Sequence, residues 1–244
     1  MNIEGKDQND FNTSVIANGD YHRISPTAKF VAYSRQFSDI PFSKEIALLS
    51  NSQNEMRQII PNDENEQECI HFFSVMTESR YKSTISTIRR YKIKQILEFA
   101  SGLSFRGPVM AKEVDIYVET DLPGIMDEKF DILSKIPAMR MQVEKGNVFF
   151  YAANALSYKE IENTLKHFNP NLPLGIVHEG LLMYLSMQEK EIMAHNCHKL
   201  LKKFGGVWIT SDLRTREELE RRNQLPSKRD AIKKLTGRDM EQNC

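Results

Sequence analysis

The stretch that most constrains this chain runs from Gln95 to Pro123, QILEFASGLSFRGPVMAKEVDIYVETDLP. An apolar run, Ile96-Leu97-Glu98-Phe99-Ala100, breaks into a small-residue turn, Ser101-Gly102-Leu103-Ser104, with a second glycine at Gly107. A second short run, Ile116-Tyr117-Val118, ends on two acids, Glu119 and Asp121. Strand, glycine turn, short helix, strand and terminal carboxylate describe a βαβ unit. The same order is how a doubly wound α/β domain holds an adenosyl ligand. A glycine at the turn lets backbone approach the ligand, and a carboxylate about 20 residues on accepts both hydroxyls of a ribose.

The turn also restricts which ligand that could be. It reads Gly102-Leu-Ser-Phe-Arg-Gly107, which is not GxGxxG, and no Lys-Ser/Thr pair follows to make a phosphate loop. A pyrophosphate or triphosphate has no evident cradle. A ligand with a ribose and no phosphate fits, and S-adenosylmethionine is the common one; a nicotinamide-dependent oxidoreductase is disfavoured by the same turn.

With 244 residues the chain suits one α/β domain plus an extra segment. Lys+Arg 33 against Asp+Glu 33 leaves no net charge, so neither nucleic acid nor an anionic membrane is an expected partner. Cys69, Cys197 and Cys244 are an odd number without CxxC spacing, which argues against a disulfide framework or a zinc site. The polar stretch Met1 to Asp20 has no apolar core of a signal peptide, and no apolar run approaches the roughly 18 residues of a membrane span. A reduced, cytoplasmic setting is the expectation.

In order, residues 1–24 read as a flexible arm rich in Asn, Asp and Gly. From Thr27 a helix is expected, because Ala28, Val31, Ala32 and Arg35 step at three and four. Phe42 to Leu49 reads as a further short helix, Asn51 to Gln67 as a polar loop, and Glu68 to Arg90 as helix in one piece or two. Residues 25–92 thus form a helical cap ahead of the sheet, and 93–244 the α/β domain. Beyond the opening stretch, a helix Met126–Lys135 leads to a strand near Asn147–Tyr151. Ser157-Tyr-Lys-Glu160 opens a helix to about Phe168, and Leu174–His178 is a buried-strand pattern. Ser186-Met-Gln-Glu189 opens a long helix to Phe204, with Met193, Cys197 and Leu200 on its core face. Val207–Thr210 is a fifth strand, and Thr215-Arg-Glu-Glu218 a third capping box. Strands alternating with helices indicate a parallel sheet.

The chain resembles the leucine carboxyl methyltransferase-like family of class I S-adenosylmethionine-dependent methyltransferases. Four blocks carry the resemblance: Glu78-Ser-Arg80-Tyr81-Lys82, QILEFASGLSFRG, Tyr117-Val-Glu119-Thr-Asp121-Leu-Pro123, and His178-Glu179-Gly-Leu-Leu-Met-Tyr184-Leu. It implies a Rossmann-like, doubly wound sheet with an N-terminal helical cap and S-adenosylmethionine as cofactor. It assigns Arg80 to the methionyl carboxylate, which suits a bidentate guanidinium. Ala100 and Gly102 would lie against the methionine moiety, and Asp121 would take the ribose diol. Glu119, of the same strand parity, competes for that role. Ala155 and Leu156 would contact adenine, with Asn154 beside them, and Glu179 would stand next to the cofactor. The family's eukaryotic members methylate the C-terminal leucine carboxylate of protein phosphatase catalytic subunits.

Two departures stand out. The first turn reads Phe99-Ala-Ser-Gly102, where eukaryotic members have roughly Leu-Gly-Ala-Gly, so a methyl group at Ala100 narrows the room beside the ligand. The class I sheet finishes with antiparallel sixth and seventh strands that this sequence does not display; Leu235 to Cys244 reads like a run-up to them. The expected activity is methyl transfer to a carboxylate or hydroxyl of a small molecule or a protein C-terminus. The competing expectation is a catalytically idle relative acting as a binding module. His195 and His198 fall off the apolar stripe and are expected in solvent. His178 is either a general base or a hydrogen-bonded buried histidine.

Overall fold

The computed structural model describes residues 25–59 and 66–213. Among the described residues five short strands make one sheet, β1 Gln95–Phe99, β2 Ile116–Asp121, β3 Val148–Ala152, β4 Leu174–His178 and β5 Gly206–Thr210. Their spatial order is β3-β2-β1-β4-β5 and every pairing is parallel. Leu97 sits opposite both Val118 and Ile176, so β1 is the centre of the sheet. This is the order of a doubly wound, Rossmann-like domain, and the chain reverses direction between β1 and β4. The carboxyl ends of those two strands are therefore where a crevice opens.

Strand parity divides the central side chains between two faces. Leu97, Phe99 and Ile176 face α9 (Met187–Phe204), which buries Met193, Cys197, Leu200 and Phe204 against them. Ile96, Tyr117 and Val177 face α4 (Glu66–Arg90) through Tyr81, Ile85 and Ile88. On that side also lie α5 (Arg106–Met110), α6 (Pro123–Lys135) and α7 (Pro137–Val143). The helices α1 (Ser25–Arg35) and α2 (Ser43–Leu49) bring Ala32 and Ile46 onto Leu103 and Phe105, over the turn that follows β1. The N-terminal helices thus cover the crevice end of the sheet.

The chain departs from its sequence expectations in three places. The expected polar loop at 51–67 contains a helix, α3 (Ser52–Ile59); Asn51 takes a left-handed turn and Met56 is buried beside Phe30. The segment ahead of the sheet, expected as one piece or two, is one 25-residue helix, α4. The helix opened by Ser157 stops after α8 (Tyr158–Glu162), where the Thr164 hydroxyl donates back to the Ile161 carbonyl at 2.7 Å. A tighter turn, Leu165–His167, replaces its continuation. Finally α7 follows α6 directly, with Pro137 at its first helical position. The expected flexible arm at 1–24, the Thr215 capping box and the stretch 235–244 lie outside the described residues.

Candidate functional site

A cavity of about 160 Å³ opens where the geometry of the sheet places a crevice. Its walls come from α1 and α4, from the turn Ala100–Ser104 after β1, and from the tips of β2 and β4. The helical cap and the sheet therefore meet at one site.

The turn has an unusual backbone. Ala100 has φ 48 and Gly102 φ 52, both in the left-handed region. Glycine takes that conformation freely, whereas alanine is strained there by roughly 1–2 kcal/mol. Hydrogen bonds hold the turn: Ser101 N donates to the Thr120 carbonyl at 3.0 Å and Ser104 N to that of Ser101 at 3.1 Å. The Gly102 amide donates to Asp121 Oδ2 at 2.6 Å, and the Leu122 amide to Oδ1 at 2.7 Å. Asp121 is half-buried on the cavity wall. Its two oxygens offer about four acceptor positions, so two remain. Burial pushes its carboxyl above the usual range against the pull of the two amides, and further donors from a ligand would bring it back down.

Glu119 has the same parity, but it is fully buried and does not line the cavity. Its Oε1 accepts from the Gly107 amide at 2.6 Å, and Oε2 pairs with Lys129. A Cβ at Gly107 would stand only 2.9 Å from Val148 Cγ1 and 3.0 Å from that Oε1, so only glycine lets the amide come this close. The Lys129 ammonium also donates to Ser101 Oγ at 2.7 Å. Glu119 thus supports the turn from beneath through Lys129, and Asp121 alone of the two acids reaches the cavity.

The three residues expected at an adenine edge are also outside the cavity lining. Asn154 Oδ1 accepts from the Leu156 amide at 2.9 Å, the local loop a turn asparagine makes. The Ala155 carbonyl accepts from Asn196 Nδ2 at 3.0 Å. Leu156 is buried in the core against α9.

Around Glu179, expected beside the ligand, the cavity wall carries charges the sequence left unassigned: Arg35, Glu98 and Arg106. Arg106, wholly buried, pairs with Glu98 and, at 2.8 Å, with Glu179. The other Glu179 oxygen pairs with Arg35 at 2.6 Å. Tyr117 donates its hydroxyl to Glu98 at 2.6 Å. The guanidinium carbons of Arg35 and Arg106 lie 5.0 and 4.7 Å from the centre of the Tyr81 ring. Burial works against the charge on Arg106, but Glu98, Tyr117 and Glu179 around it hold its pKa well above the ordinary value. Within this network Arg35 Nε, Arg106 Nε and the Tyr81 hydroxyl are buried without a hydrogen-bond partner among the described residues.

Arg80 lines the same cavity, and its guanidinium donates to Asp212 Oδ1 at 2.5 Å and to Ser211 Oγ at 3.0 Å. His178 is buried with Nδ1 3.1 Å from Asp212 and 3.2 Å from Thr210 Oγ1, the hydrogen-bonded alternative of the two expected for it. His195 and His198 are exposed. Cys197 is a free thiol that burial pushes up to about 12, which keeps it unreactive. Among the described residues no helix is long and apolar enough to cross a membrane.

Of the residues expected at the site, Arg80, Ala100, Gly102, Asp121 and Glu179 come together around the cavity, while Glu119, Asn154, Ala155 and Leu156 stand behind its walls. Some of the missed residues had a signal. Lys129 falls on the apolar stripe Ile125, Met126, Ile132 and Leu133 of α6, where a lone lysine needs a buried partner. Glu98 is a charge inside an apolar strand, and Arg35 closes the apolar stripe of α1. Asp212 carried no signal.

No family model matches the sequence, and no curated protein matches it. Solved structures with a similar outline include an S-adenosylmethionine-dependent methyltransferase from Anabaena variabilis ATCC 29413, 12% identical with a TM-score of 0.43 over 63% of each chain. A DhpI–SAM–HEP complex is 15% identical, TM-score 0.40, over 75% of this chain and 73% of that one. An O-methyltransferase family protein from Burkholderia thailandensis is 11% identical, TM-score 0.41, over 82% of this chain and 60% of that one. The chain thus spans less than two thirds of the Anabaena and Burkholderia proteins. At such identities the likeness concerns the path of the chain, not its chemistry.

Proposed function

We propose that the cavity binds S-adenosylmethionine and that the chain is a methyltransferase acting on an oxygen, a carboxylate or hydroxyl of a small molecule or a protein C-terminus. The resemblance to the leucine carboxyl methyltransferase-like family belongs to this proposal, as does an intracellular setting. The observation that carries it is Asp121. A carboxylate at the tip of β2 stands on the cavity wall, tied to the glycine turn, with two acceptor positions left over. That arrangement suits a ribose diol. The turn beside the cavity lacks the GxGxxG and Gly-Lys-Ser/Thr patterns that cradle a phosphate.

When bound, S-adenosylmethionine supplies a methyl group already activated on a positively charged sulfur. The chain's own residues then have to bind, orient and exclude water. Asp121 would take the ribose hydroxyls, the backbone of Ala100 and Gly102 would face the methionine part, and Arg80 would take its carboxylate. The apolar side chains of Ala28, Val31, Met76 and Ile125 on the cavity walls would help to exclude water around the bound ligand. A carboxylate acceptor is ionised at neutral pH and asks for no general base.

Calorimetric titration with S-adenosylmethionine tests the reading: heat of binding is expected, and no heat at high micromolar ligand with folded protein would remove it. Binding without transfer to any carboxylate or hydroxyl acceptor would favour the idle relative instead.

A further inference from the structure

A buried carboxylate stands just behind the cavity wall, on Arg80. Asp212, just past β5, has a side chain only 4% exposed and does not line the cavity, yet five donors converge on its carboxylate. Oδ1 receives the Gly180 amide at 2.6 Å and Arg80 at 2.5 Å. Oδ2 receives the amides of Leu181 and Leu182 at 2.7 and 3.0 Å and lies 3.1 Å from His178 Nδ1. Its own amide donates to Thr210 Oγ1 at 3.0 Å. Three consecutive backbone amides therefore fix the carboxylate from one side. On the other side it holds one edge of the Arg80 fork, with Ser211 on Nε.

A guanidinium has five donors in a rigid plane, and this one commits donors from Nε and Nη2 to Ser211 and Asp212. Holding one edge fixes the plane, so the remaining donors are aimed before any ligand arrives. Left to itself, an arginine on the surface of α4 would lose rotamer freedom on binding, which weakens affinity. The burial of Asp212 favours its neutral form, but the hydrogen bond from His178, the loop amides and Arg80 hold its carboxyl far below the usual range. It stays ionised at neutral pH, as this role requires.

We propose that Asp212 is a positioning residue that pre-orients Arg80 toward the carboxylate end of the ligand. This inference rests on the reading of the cavity as an S-adenosylmethionine site. A purely structural Asp212 would loosen the whole site, whereas a positioning Asp212 acts only on what Arg80 touches. Two probes separate these: S-adenosylmethionine, and 5′-methylthioadenosine, which has the nucleoside but no amino-acid end.

The experiment measures both affinities by calorimetry for the wild type, Asp212→Asn, Arg80→Ala and the double variant, with thermal melting as the check on folding. Asp212→Asn is expected to weaken S-adenosylmethionine about tenfold and to leave 5′-methylthioadenosine within about twofold, as loss of one charged hydrogen-bond network implies. In the Arg80→Ala background, Asp212→Asn should cost nothing further, because both act through one contact. If Asp212→Asn does not fold, Asp212→Glu keeps the charge and moves it by about one bond, and the same selective loss is expected. Wild-type affinity in the substituted protein, equal losses for both probes, or losses that multiply in the double variant would each overturn the inference. A wild type that binds neither probe removes the cofactor reading itself, and Asp212's role with it.

Discussion

The two faces of the central strands are built on opposite terms. Toward α9 the sheet presents Leu97, Phe99 and Ile176 to Met193, Cys197 and Leu200, an apolar contact whose stability grows with the area removed from water. Toward α4, α5 and α6 the same strands present Glu98 and Glu119, side by side in register and almost wholly buried. Each is answered by a different cation, Glu98 by Arg106 and Glu119 by Lys129. A buried ion pair adds little over an apolar replacement, yet losing one partner leaves an uncompensated charge. Both faces carry apolar core, Ile96, Tyr117 and Val177 on α4 included, but only this second face adds buried charges and carries the cavity at its edge. The site is thus confined to one side of a single layer of strands, while both sides contribute to stability.

Breaking the charged face should have the largest effect. Lys129→Met leaves Glu119 charged and unpaired in the interior, and urea unfolding is expected to show a loss of about 3–5 kcal/mol. Adding Glu119→Gln to that variant should recover a large part of it, because glutamine still accepts from Gly107 and carries no charge. No recovery would mean that the lysine acts through its packing and its bond to Ser101 and not through Glu119. On the apolar face Leu200→Ala is expected to cost about 2–5 kcal/mol with no change in the turn's hydrogen bonds. If Leu200→Ala weakened ligand binding beyond its effect on folding, the separation of the two faces would fail.

Smaller effects sharpen the comparison at the cavity rim. Asp121→Ala is expected to weaken S-adenosylmethionine by roughly 1–3 kcal/mol, read by calorimetry. Asp212 adds a pH signature. Its carboxyl titrates below the ordinary range in the folded chain. Its contribution is therefore complete above the unfolded pKa of about 3.9 and is lost as pH falls through the lowered folded value. The difference in unfolding free energy between wild type and Asp212→Asn should be level from pH 6 to 8, on the order of what one charged hydrogen-bond cluster gives, and close below about pH 4. A gap that widened on acidification would reverse the assignment. The smallest effect belongs to the surface: Arg89 meets Glu113 through two bonds of 2.7 Å, but both are well exposed, and Arg89→Ala should cost less than about 1 kcal/mol.

The same contrast explains what could be read from the sequence. Apolar runs bounded by glycine and proline identify the five strands, most sharply β1 and β4, because a strand buried along its whole length has to be apolar almost throughout. Asp121 was legible as the acid at the strand's tip. Glu119 could not be separated from it, since parity gives the face and not the depth. Two residues earlier lies about 7 Å deeper along the strand, where Gly107 and Lys129 meet the carboxylate. Arg35 and Lys129 sat on apolar stripes as charges without visible partners, and those partners are distant in sequence. Asp212 was invisible because its role arises from amides at Gly180 to Leu182, which any residue type could supply. Helix α3 was hidden for a similar reason: its buried contact, Met56 with Phe30, is tertiary.

The most direct test of the central claim is a crystal structure of the protein grown with S-adenosylmethionine. The ribose hydroxyls are expected on the Asp121 carboxylate, with Gly102 still donating to it and Glu119 still buried on Lys129 and Gly107. A ribose held elsewhere, or a cavity that stays empty in saturating ligand, would contradict it.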